Sequence, residues 1–274
     1  MLTNFGDAES AGASLAPRSR GAIPSGFLAS NLGPEAWAHE LMADTSSGPI
    51  SSVGGFSLVF GQLQDVVRHA SQLNGEGGDA NTAPVKGLAL LSNRTPDVHG
   101  LIYLLKTQGE IHALSNAQYG DDSWPKVHDG EHLLKQAIPE SVAANESQDE
   151  LLERLFALLC KDTLPRPSNP EDCTWDSYSK QLRNSIFIPT INPVEASTED
   201  KPPADGGVTI KEISHHNPAL TGAYGTQKQT IILVDRAGKV VYVERTLFDE
   251  DARPVKREER DRRFEFQVEN WRFL

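Results

Sequence analysis

Thr230-Ile231-Ile232-Leu233-Val234 and Val240-Val241-Tyr242-Val243-Glu244, separated by Asp235-Arg236-Ala237-Gly238-Lys239, decide the fold class of this chain. Both runs are rich in β-branched residues, which suit a pleated, half-buried surface. The five residues between them offer Gly238 for a positive φ, so the pair reads as an antiparallel hairpin. Arg263-Phe264-Glu265-Phe266 alternates in polarity and reads as a last strand.

Upstream, Ser147-Gln148-Asp149-Glu150 has the capping-box pattern, in which a Ser hydroxyl and a Glu carboxylate satisfy backbone amides reciprocally. Leu151, Leu152, Leu155, Phe156, Leu158 and Leu159 follow it, so this helix is expected to lie against a sheet. A second helix is expected from Trp124 to Ile138, ended by Pro139. Two earlier ones are read from Arg20 to Asn31 and from Pro34 onward, the latter with Trp37, Leu41 and Met42 on one face. Strands are expected at Met1–Phe5, Phe56–Phe60, Gly87–Leu91, Gly100–Leu105 and Glu110–Leu114, the last two joined through Lys106-Thr107-Gln108-Gly109. Strands and helices are mixed, not strictly alternating. The class is therefore α+β with antiparallel sheets. One domain over residues 1–274 is expected, with polar loops at 71–84, 161–170 and 192–207.

The chain has 274 residues and a formal net charge of −12. Such a surface repels phosphate polyanions, and no basic cluster offsets it, so nucleic acid is not expected as a partner. The densest charge run, Asp249 to Arg263, holds six acids and six bases and nearly cancels. No segment approaches the length of a membrane span. The two cysteines, Cys160 and Cys173, form no ligand pattern and fit a reducing compartment.

Few residues propose chemistry by pattern alone. His128-Asp129-Gly130-Glu131-His132 matches H-x-x-E-H, with Glu153 the one tempting third ligand for Zn²⁺. The pattern is short and Gly130 weakens the helix, so it reads as a chance match and no metal is assigned. His215-His216 lies in a loop-like context. Leu2-Thr3-Asn4 and Leu114-Ser115-Asn116 each place an Asn at a strand end. There an amide can aim at a developing oxyanion, or simply cap the strand and begin a turn. No complete catalytic set is readable from the residues.

Taken in order, several segments resemble the NRDE family, which includes transport and Golgi organization proteins. They are Leu2-Thr3-Asn4-Phe5, Arg18-Ser19-Arg20-Gly21, Gly54-Gly55-Phe56-Ser57-Leu58 and Ala113-Leu114-Ser115-Asn116, then Tyr224-Gly225-Thr226 with Thr230 to Asp235, and Glu244-Arg245. Family members begin with Met-Cys and carry an Asn-Arg-Asp-Glu motif ahead of the Leu-Thr-Asn strand. Here Met1 stands directly at that strand and no Asn-Arg-Asp-Glu occurs, so the domain is read as N-terminally incomplete. Unpaired edges and a loosely packed, poorly soluble chain are the expected consequence. Gln227 stands where the animal-type motif has Arg.

The resemblance implies an αββα sandwich like that of N-terminal nucleophile hydrolases. It makes Asn4 and Asn116 candidate oxyanion-side residues, and Arg20, Phe56, Tyr224, Thr226, Glu244 and Arg245 family-motif residues. It implies a role in Golgi organization and protein secretion, read as non-catalytic because the family's nucleophile has no counterpart in this chain. One alternative is an amidohydrolase whose Cys lies upstream; another is a carrier of haem or acyl lipids, haem being the cofactor the resemblance brings in. The implied location is cytoplasmic with peripheral association at the Golgi, the mitochondrion being the alternative.

Overall fold

A computed structural model describes residues 1–4, 19–44, 46, 48–63, 66, 87–107, 109–165, 178–191, 224–269 and 271. The chain divides into two compact units, Met1–Val127 and His128–Glu269.

The first unit is built on a four-stranded antiparallel sheet in the order β1-β2-β3-β4, with β1 Leu2–Asn4, β2 Phe56–Phe60, β3 Leu88–Ser92 and β4 Ile102–Leu104. Helices α1 (Ala22–Ala29) and α2 (Pro34–Ala43) cover one face. Alternation along β2 sends Phe56, Leu58 and Phe60 to that face, where Ile23, Trp37, Ala38, Ala89 and Leu91 complete a buried core. Phe27, Trp37 and Phe60 meet edge to face with ring centroids 5.0 to 5.2 Å apart, the arrangement the ring quadrupole favours. Gly87, at φ +78, is obligatory before β3: a Cβ there would stand 2.2 Å from the Leu104 carbonyl oxygen.

In the second unit, β5 (Lys228–Val234), β6 (Lys239–Thr246) and β7 (Asp261–Gln267) form an antiparallel meander. The β5–β6 turn uses Gly238 at φ +81, and the Asp235 carboxylate accepts from the Lys239 amide at 2.8 Å. Helix α4 (Gln148–Leu159) lays Leu152 and Phe156 against Ile231, Val241 and Val243. Its capping box at Ser147 and Glu150 is formed in both directions. On the other face of the sheet Ile232, Tyr242 and Phe264 stand in register, with Ile232 57 % and Phe264 56 % exposed.

The α+β class with antiparallel sheets is what the sequence indicates, and β2 has the expected bounds. Two expectations fail. The stretch Glu110–Leu114 is not a strand. Leu105 turns the chain with a φ of +59, and the Glu110 carboxylate then captures the Lys106 amide (2.9 Å) and the Thr107 hydroxyl (2.6 Å). These donors serve a local cap in place of a ladder. Pro139 does not end its helix either: α3 runs Pro125–Ala143 through it. Proline leaves the carbonyl four residues back without its donor, but Lys135 and Pro139 are both exposed, so water can serve it. The helix read from Arg20 to Asn31 is shorter, Ala22–Ala29. Loops 71–84 and 192–207, residues 166–170 of the loop 161–170, Cys173 and His215-His216 lie outside the described residues.

Candidate functional site

The face of the first sheet opposite α1 and α2 carries polar side chains in register. Thr3 pairs with Ser57, and Ser57 with Ser92, so three hydroxyls line up across β1, β2 and β3. Ser57 is fully buried and Ser92 nearly so. The Ser92 hydroxyl accepts from the Arg94 amide at 3.2 Å and lies 3.4 Å from the Thr95 hydroxyl. Thr3 Oγ1 and Ser57 Oγ, both buried, have no hydrogen-bond partner among the described residues. Each retains a donor and lone pairs for a polar atom.

The ends of these strands are tied together. Asn116 Nδ2 donates to the Asn4 carbonyl at 2.7 Å, so the two predicted Asn residues do meet. The contact runs from side chain to backbone and anchors the loop after β4 onto β1. Asn93 Oδ1 accepts from the Phe56 amide at 3.4 Å, and Arg20 donates to the Gly55 carbonyl at 3.2 Å. Arg94 reaches Gln118 Oε1 at 3.0 Å. Arg20, Asn4, Phe56 and Asn116 thus surround the N-terminal end of β2 and the C-terminal end of β1.

The motif residues of the second unit act as struts. Tyr224 exchanges both backbone bonds with Ile191, at 3.0 and 2.7 Å. Thr226 donates its amide to the Ile188 carbonyl (2.8 Å) and accepts the Ile188 amide on its hydroxyl (3.0 Å). Gly225 between them is closely approached: a Cβ would lie 3.1 Å from the Pro189 carbonyl oxygen and from Thr190 Cα, so the neighbouring backbone would have to give by a few tenths of an ångström. Glu244 pairs with Lys228 at 3.0 Å. Arg245 is the most connected. It donates to Asp261 at 2.7 and 2.8 Å and to Glu153 at 2.5 Å, and its guanidinium lies 3.8 Å from the Phe156 ring centroid. The Asp261 and Glu153 bonds hold its pKa above the ordinary arginine value.

Glu153 is therefore engaged by Arg245, and both His128 and His132 are exposed on α3. Among the described residues no group of three or more His, Cys, Asp and Glu side chains could hold a metal ion. Cys160 is free, with Sγ 3.3 Å from the Gln229 amide nitrogen. Sequence reasoning named the Asn pair but missed the hydroxyl row. Its only signal is Thr3, Ser57 and Ser92 on three strands, and without the register these are three unrelated small residues.

An α+β chain with antiparallel sheets and this strand-end Asn contact is a class, not yet a protein. The family model described as Transport and Golgi organisation 2 matches residues 1–249, most of the chain. The chain belongs to that family. No curated protein sequence matches it.

Proposed function

We propose that the chain serves Golgi organization and protein secretion as a non-catalytic member of its family. The match to the Transport and Golgi organisation 2 family over residues 1–249 carries this reading. No helix among the described residues is long and apolar enough to cross a membrane, and peripheral association on the cytoplasmic side of the Golgi accords with that. The reading takes the fold to be kin to N-terminal nucleophile hydrolases, which accords with two antiparallel sheets, each with helix packed on one face. Kinship of fold does not confer activity.

The test is complementation. Cells lacking this protein should show slowed secretion and altered Golgi morphology, both restored by the wild-type chain. Asn4→Ala should restore them equally, because Asn116 binds the backbone carbonyl of Asn4, which Ala retains. Normal secretion after deletion would overturn the reading. A folded Asn4→Ala chain that fails to rescue would shift it to the hydrolase alternative, in which the Asn4 amide holds an oxyanion.

A further inference from the structure

The loop between β4 and α3 holds three side chains in one hydrogen-bonded line. Glu110 Oε2 lies 3.1 Å from His112 Nε2, and His112 Nδ1 lies 3.0 Å from the Tyr119 hydroxyl. The Glu110 carboxylate also accepts the Thr107 hydroxyl at 2.6 Å and the Lys106 amide at 2.9 Å. The Thr107 bond first, then the His112 bond, hold its pKa down at about 2, so it is ionised at neutral pH.

That fixes the tautomer. An ionised carboxylate only accepts, so the proton of the neutral imidazole sits on Nε2. Nδ1 then presents its lone pair to Tyr119, whose O–H donates. The order is hydroxyl, base, carboxylate, the constellation that activates nucleophiles on unrelated folds. Glu110, His112 and Tyr119 are all partly exposed, so a small electrophile can reach them. Neither a loop tie nor the family-motif residues account for the chain: Asn116 already anchors this loop, and none of the three is among those motif residues.

We propose that Tyr119 is an acyl-accepting nucleophile, with His112 as its general base and Glu110 as the residue that positions the imidazole, toward activated esters. Tyr119 Oη attacks the ester carbonyl while its proton passes to His112 Nδ1. The tetrahedral adduct collapses, the bond to the leaving oxygen breaks, and the released phenolate, less basic than tyrosinate, departs with the proton from His112. The products are an aryl ester on Tyr119 and a free phenol, with no change of oxidation state.

The probe is p-nitrophenyl acetate at neutral pH, with the acetylated tyrosine located by peptide mass spectrometry. Tyr224, 42 % exposed, is the internal reference within the same molecule. Tyr119 should acetylate about 100-fold faster than Tyr224, the low end of what a positioned base contributes. His112→Gln should remove that advantage and make the residual reaction first order in hydroxide up to the phenol range near ~10. Glu110→Gln should move the profile the same way. Equal acetylation of Tyr119 and Tyr224 in the wild-type chain overturns the proposal without any variant. So does a folded His112→Gln chain whose Tyr119 still labels at the wild-type rate and pH profile. Neither result bears on the secretory reading, which uses none of these residues.

Discussion

Ser57 illustrates what a single residue can cost. Its hydroxyl is fully buried on β2 between Thr3 and Ser92, with no partner among the described residues. A buried, unsatisfied hydroxyl costs ~1–3 kcal/mol, while removing it leaves only a small void. Ser57→Ala should therefore leave stability unchanged or raise it by about 1 kcal/mol, read as the midpoint of chemical denaturation. A loss of more than about 1 kcal/mol would mean the hydroxyl is bonded after all. Arg245 is the opposite case. Its guanidinium lies over the Phe156 ring and joins Asp261 and Glu153. Arg245→Met should cost about 2 kcal/mol, because bonds to charged groups and the ring contact vanish together. Arg245→Lys should recover only part of this, since an ammonium cannot reproduce the planar fork. Both variants belong in the same denaturation series.

At the scale of elements, sequence legibility depends on how local the deciding contacts are. Helix α4 is legible because Ser147, Glu150 and the Leu run all lie within the helix and its cap, Ser147 to Leu159. Ser147→Ala should cost about 1 kcal/mol, the usual worth of an N-cap side chain, and destabilise the unit without changing helix content. The β5–β6 hairpin was legible for the same reason, its turn chemistry lying within five residues. Glu110–Leu114 was misread because its apolar tail looks like strand, while the cap that turns the chain depends on the left-handed φ at Leu105. The hydroxyl row was invisible because it exists only once β1, β2 and β3 are aligned. Motif order singles out Asn4 and Asn116 one by one; their contact, side chain to backbone carbonyl, exists only once the loop after β4 is laid against β1. Gly225→Ala tests a different locality: its clash is with Pro189 and Thr190, which must give way by backbone movement. It should cost more than an ordinary exposed Gly→Ala change and loosen the Ile188–Thr226 pairing, read as faster amide exchange at Ile188 and Ile191.

On the scale of the whole molecule, four of the carboxylates behind the −12 charge are held by specific bonds. Glu110, Glu146, Glu150 and Glu265 all sit below the ordinary value of 4.5, through bonds to Thr107, Arg154, Ser147 and Lys239 respectively as the largest cause. A folded pKa below the unfolded one gives stability that is present above about 4.5 and lost as pH falls toward the folded value. This carboxylate contribution should hold steady from neutrality to roughly pH 5.5 and then decline, with Glu110→Gln flattening the decline below pH 4.5. The Glu265–Lys239 ion pair is solvent-exposed, so 0.5 M salt should weaken its share, while the bonds to Thr107 and Ser147 should change little.

The family assignment spans both units, since the match runs from residue 1 to residue 249. The molecule is proposed to support secretion without a reaction at its strand-end Asn residues. Secretory flux in cells lacking the protein, complemented with the Asn4→Ala chain, is the decisive measurement. Flux should fall on deletion and return fully with Asn4→Ala. Unchanged flux on deletion, or a folded Asn4→Ala chain that restores none of it, would overturn that proposal.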